Sequence, residues 1–316
     1  MNYDDYSSSG TAPARARSHD AMEGPPEGVP PPALEPMPIE PAQGNPPAFP
    51  LPPHVPNWNA GAGTPEDLLV PWGWLEVGML VVLAVVASLV VTWGVAELAV
   101  RVLGVKPDAV FGSDITTAKS IVVLLSQALI DGLAILYLYL MLLGRTEAPF
   151  WPTIGWRDLR TSPGPLHASP IQFLAGGAAM AVVVSFAGGF FNSKETLPIE
   201  QLLQARVSIL LFGILGVLVA PLVEETIFRG FLYPVIARRA GIAAGIAITG
   251  VLFGLMHAAQ LWGGWGQIAL LILVGVALTW VRARTGTVTA SYFVHLGYNG
   301  LQLVGYLVYV VSGSHH

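Results

Sequence analysis

From Trp72 onward, apolar runs of about 20 residues recur, and a run of that length, wound as a helix, crosses about 30 Å of hydrocarbon. Seven such runs are readable, at roughly 72–103, 118–143, 168–191, 205–239, 242–260, 264–281 and 288–311. A chain of this kind has few folds open to it. In lipid every backbone polar group needs an internal partner, and a helix supplies that partner locally. The expected fold is therefore all-α: a polytopic membrane bundle of about seven transmembrane helices. Charged residues make up only 11% of the 316 residues, less than half of the share, about 25%, usual for a soluble domain.

Residues 1–70 are a different material. Of the 26 prolines, 17 lie before Trp72, in stretches such as GPPEGVPPPALEPMPIEP. Such a segment has too few large apolar side chains to offset its chain entropy, and it reads as a disordered Pro-rich tail. The residues through Leu69 hold 9 acids and 2 bases, whereas the rest holds 11 acids and 13 bases. The net charge of −5 thus belongs to the tail. No clustered basic footprint for nucleic acid is present. The absence of cysteine excludes disulfides, thiolate metal sites and a cysteine nucleophile.

Orientation follows from arginines in short loops. Arg238 and Arg239 follow the fourth run, and Arg282 and Arg284 follow the sixth. The positive-inside rule places both ends, and by counting back the N-terminal tail, in the cytoplasm. The expected location is the plasma membrane. Trp72, Trp74, Trp151, Trp156, Trp262 and Trp265 stand near run ends, as an interfacial belt would. Gly241 with Gly245, and Gly250 with Gly254, give the fifth run two small-residue pairs for close helix packing.

Chemistry is concentrated in PLVEETIFRG of the fourth run, where Glu224, Glu225 and Arg229 fall within six residues. A charge at mid-membrane costs about 2.5–3.5 kcal/mol, so these groups must face the bundle interior. Glu225 and Arg229, at i and i+4, share a helix face and can pair. Glu224 points about 100° away and is left free. Phe253 and His257 in FGLMH, and His295 and Asn299 in HLGYN, repeat the i, i+4 spacing on two further runs. Counted from the cytoplasmic ends, Glu224 and His257 lie about 22 Å deep, Asn299 about 20 Å and His295 about 13 Å. Similar depths on separate helices point to one buried constellation. A carboxylate and an imidazole can hold and deprotonate a water. A second imidazole and a carboxamide can donate to the oxyanion formed at a carbonyl. Glu with two His is also a zinc ligand type, although the HExxH spacing is missing. No serine stands in a nucleophile motif.

EETIFR, FGLMH and HLGYN together resemble the Glu-Glu-x-x-x-Arg, Phe-x-x-x-His and His-x-x-x-Asn motifs of the CPBP (ABI) intramembrane endopeptidases. That family includes the type II CAAX prenyl endopeptidases and relatives in bacteriocin processing and self-immunity. The resemblance covers about residues 200–312, leaving 71–199 as accessory helices. It implies that Glu224 is the general base, that His257 positions the water, and that His295 and Asn299 form the oxyanion site. Glu225, Arg229 and Phe253 support them. It implies catalysis without a bound metal or other cofactor, zinc being the older description. The implied partners are the lipid bilayer and a membrane-associated peptide or protein substrate, with no nucleic acid. The oligomeric state is not legible. A non-catalytic membrane scaffold or immunity-type protein on the same bundle is the alternative. A transporter ranks below it, since no inverted repeat is visible. Asp131, alone in the second run, remains open: a substrate contact, a water path, or a pairing within the bundle or with Arg229.

Overall fold

The computed structural model describes residues 65–191 and 206–312. Within them the chain is helical, with no strand. The long helices are α1 (Trp74–Arg101), α3 (Thr117–Leu143), α5 (Pro170–Gly188), α6 (Val207–Ala240), α7 (Ile242–Met256), α8 (Trp265–Thr285) and α9 (Val288–Val311). Two short helices, α2 (Pro107–Phe111) and α4 (Phe150–Thr153), lie in the connections. Each helix matches one expected run or a connector, and most ends fall within a few residues of expectation.

Among the described residues, five helices are long and apolar enough to cross a membrane: α1, α3, α5, α6 and α8. The integral-membrane reading stands, and the count of seven is not reached. At 15 residues, α7 spans only about 22 Å, short of the hydrocarbon thickness. It ends at Met256 rather than at 260, where the chain turns through His257–Gly264. With 24 residues α9 is long enough, but His295, Asn299 and Gln302 dilute its apolar character.

Local chemistry sets the boundaries. Ser169 and Gln172 exchange hydrogen bonds with each other's backbone N–H at the start of α5, and Pro170 occupies the first turn, where no N–H is needed. Gly286, at φ +72°, ends α8 in the left-handed region, and Thr287 then caps α9. α6 is continuous although it contains Pro221 and Pro234. Each proline follows a stretch of wide π-helical turn, Leu215–Val219 and Thr226–Leu232. The wider turn accommodates a residue that donates no backbone bond.

The packing is close where glycines face backbone. A Cβ on Gly177 of α5 would stand 1.9 Å from the Val294 carbonyl oxygen of α9, and one on Gly297 of α9 would stand 2.1 Å from that of Leu174. Gly250 and Gly254 of α7 meet Val276 and Ile272 of α8 in the same manner. Gly245 packs on Ala237. Gly241 does not pack: it has φ +87° and makes the turn between α6 and α7.

The boundary of the tail moves. Residues 65–70, expected in the disordered segment, are folded: Glu66–Leu68 form one 3-10 turn, and Leu68 is buried against Tyr233 and Ala237. Asp67 pairs with the buried Arg282 at 2.6 Å, and Arg238 donates to the carbonyls of Val70 and Trp72. Residues 1–64 lie outside the described residues. The tryptophans also divide. Trp74, Trp151, Trp262 and Trp265 are exposed, as a belt requires. Trp72 is buried and donates to the Phe231 carbonyl, and Trp156 donates to Thr226, so both brace the second π-helical turn of α6. The Ile154 carbonyl presses on the same turn at Gly230, where a Cβ would stand 2.5 Å away.

Candidate active site

The polar groups of α6, α7 and α9 converge on one cavity of about 780 Å³. Glu224, Phe253, His257, His295 and Asn299 all line it. Glu224 sits between two imidazoles. Its Oε1 lies 3.8 Å from His257 Nε2, and its Oε2 lies 3.8 Å from His295 Nε2. Glu224 and His257 keep about a fifth of their side-chain surface open, whereas His295 is nearly closed off.

Each ring is oriented by a bond at its far nitrogen. His257 Nδ1 is 2.9 Å from the Phe253 carbonyl oxygen, which can only accept, so Nδ1 carries the hydrogen. The neutral ring then presents a bare Nε2 to Glu224. His295 donates from Nδ1 to Glu225 Oε1 at 2.9 Å. The same oxygen accepts from Arg229 Nη1 at 2.8 Å. Arg229 also donates from Nη2 to the Gly275 carbonyl and from Nε to Thr279 on α8. Its guanidinium lies over the Phe253 ring at 4.4 Å. Phe253 touches both histidine rings edge-on or tilted, with centroids 5.0 and 5.6 Å away. It is the packing centre of the site.

The i, i+4 reading of the motifs therefore holds as geometry. Glu225 pairs with Arg229, Glu224 takes no direct hydrogen bond among the described residues, and the two histidines meet it from different helices. HLGYN also explains its own middle. His295 and Asn299 face the cavity, while Gly297, two residues from each, turns to α5. Asn299 donates from Nδ2 to the Gly216 carbonyl at 2.8 Å, within the first π-helical turn of α6, and among the described residues its second amide hydrogen has no partner.

Asp131 lines the same cavity from α3. It accepts from Gln127 Nε2 at 2.8 Å and is not paired with Arg229. Gln127, Thr279, the Gly275 carbonyl and the Gly216 carbonyl are site components that the sequence reading does not supply. For the last of these, Pro221 inside an apolar run is the available signal, because it requires a distorted turn upstream. Among the described residues, no group of three or more His, Cys, Asp or Glu is arranged to hold a metal ion. The 3.8 Å gaps between the histidine nitrogens and Glu224 are wider than the separation of about 3.4 Å that tetrahedral zinc ligation would give.

Residues 206–301 match the family model for type II CAAX prenyl endopeptidase Rce1-like proteins. Over these residues the chain resembles that family. EETIFR, FGLMH and HLGYN all lie inside it, so the match and the motif resemblance agree on one segment. No curated protein and no solved structure matches the chain. The Rce1-like region holds α6, α7, α8 and most of α9. It therefore contains Glu224, Phe253, His257, His295 and Asn299, whereas Gln127 and Asp131 of α3, Ser185 of α5 and Gln302 and Tyr306 of α9 line the cavity from outside it.

Proposed function

We propose that the protein is an intramembrane endopeptidase that hydrolyses a peptide bond of a membrane-associated peptide or protein, with Glu224 as general base. The observation that carries this reading is the position of Glu224, each of whose oxygens faces an imidazole nitrogen 3.8 Å away inside the cavity. Two acceptors at that spacing, Glu224 Oε1 and His257 Nε2, admit one water about 2.8 Å from both. Such a water donates both hydrogens and turns its lone pairs to the cavity. Glu224 takes a proton as the water oxygen bonds to the substrate carbonyl carbon. The carbonyl π electrons move to oxygen, and the free N–H of Asn299 is available to stabilise it. His295, with a proton on Nε2, would donate to the oxyanion while Nδ1 stays on Glu225. Transfer of the Glu224 proton to the amide nitrogen releases the amine and leaves a carboxylic acid. Glu225 and Arg229 hold the His295 ring in place. In the membrane, the Arg238–Arg239 and Arg282–Arg284 ends face the cytoplasm.

The test is cleavage of candidate membrane-anchored peptides by the protein reconstituted in bilayers. Glu224→Gln and His257→Ala are each expected to reduce turnover by about 10²–10⁴-fold, the usual contribution of acid–base catalysis. Undiminished cleavage by both variants would overturn the mechanism.

A further inference from the structure

We infer that Asp131 and Gln127 form a subsite for a positively charged side chain of the substrate, on the face of the cavity contributed by α3. The inference rests on the endopeptidase reading of the same cavity and adds a determinant of specificity to it. Asp131 lies 12 residues from the end of α3, or about 18 Å along the helix from it, near the middle of the span. A carboxylate at that depth costs about 2.5–3.5 kcal/mol on insertion scales, and such groups mark pathways or binding sites. Gln127, one turn earlier, donates to Oδ1 and fixes the carboxylate. Oδ2 receives no hydrogen bond among the described residues.

The charges of the cavity do not balance. Glu225 is matched by Arg229 beneath the cavity wall. Glu224 and Asp131 both line the cavity, and among the described residues no Lys or Arg does. Catalysis accounts for Glu224. It gives Asp131 no part, because no imidazole or Asn299 bonds to it. A lysine or arginine side chain carried in by the substrate supplies the missing charge and finds a fixed carboxylate to pair with. It also places the neighbouring peptide bond within the cavity that holds Glu224. A neutral side chain of the same length would leave the carboxylate unmatched, so recognition is by charge as well as by shape.

Binding separates this inference from the chemistry. The probes are lipid-anchored hexapeptides, identical except for one lysine or one norleucine at successive positions, and the protein is full-length Glu224→Gln in lipid nanodiscs. At one position or a neighbouring pair, lysine is expected to bind at least tenfold more tightly than norleucine. Adding Asp131→Asn is expected to remove that preference, and adding Asp131→Glu to retain it. Equal affinity for lysine and norleucine at every position would overturn the subsite, as would a preference that survives Asp131→Asn. Undiminished cleavage by Glu224→Gln would instead count against the peptidase mechanism, whatever the charge preference.

Discussion

Each nitrogen of Arg229 donates to a buried group, Glu225, Thr279 or the Gly275 carbonyl, with the Phe253 ring beneath. Removing one partner of a buried pair leaves the other charge unmatched and costs about 3–5 kcal/mol. Arg229→Met is therefore expected to lower thermal stability in detergent sharply. The double change Glu225→Leu with Arg229→Met is expected to recover much of that loss, because no charge is stranded. Cleavage should not recover with it, since His295 loses the acceptor that orients its ring. A double variant as unstable as Arg229→Met alone would show that the pair is not the source of the effect. The i, i+4 spacing is what made Glu225 and Arg229 legible in the sequence. Thr279 and Gly275 were not legible, because they lie on another helix, 50 and 46 positions away, and carry no pattern linking them to Arg229.

Helices hold the site by backbone proximity as much as by side chains. Gly177 and Gly297 let α5 and α9 approach until no Cβ fits, and this fixes the rotation of α9 that turns His295 and Asn299 to the cavity. Gly297→Val is expected to cost about 1–3 kcal/mol through overpacking, lowering thermal stability and peptide cleavage together. Gly78→Val on α1, where nothing lies within 4 Å, serves as the control and should leave both unchanged. If Gly297→Val matched the control, α9 would not depend on this contact for its rotation. The apolar runs made element identity readable, since a run long enough to span is hard to mistake for a strand. Less legible was where apolar chain stops being helix. Met256 and His257 lie within an apolar stretch, and only the fold ends α7 there. The π-helical turns were equally hidden, although Pro221 and Pro234 mark the places that need them.

Across the whole molecule, residues 65–72 act as a strap joining α6 and α8 at one end of the bundle. Leu68 fills a pocket against Tyr233 and Ala237, Asp67 neutralises the buried Arg282, and Arg238 holds the carbonyls of Val70 and Trp72. The Trp72 indole reaches the Phe231 carbonyl, in the same π-helical turn as Arg229. The acidic, proline-rich composition concealed this strap, because Asp67 and Leu68 directly follow a segment that reads as solvated chain. Two arginines that set orientation by the loop count thus also hold the strap in place. Burying Leu68, Val70 and Trp72 contributes about 1.5–3 kcal/mol per side chain, so the strap stabilises the bundle by several kcal/mol. A chain beginning at Pro65 is therefore expected to unfold about 10 °C or more above one beginning at Gly73, at 2–4 °C per kcal/mol for a domain of this size. The shorter chain should also lose cleavage at temperatures where it remains folded, because the turn carrying Arg229 has lost the Trp72 bond that braces it. Equal melting temperatures for the two chains would mean that α6 and α8 hold together without the strap. Equal cleavage with unequal melting would confine the strap to stability and uncouple it from the site.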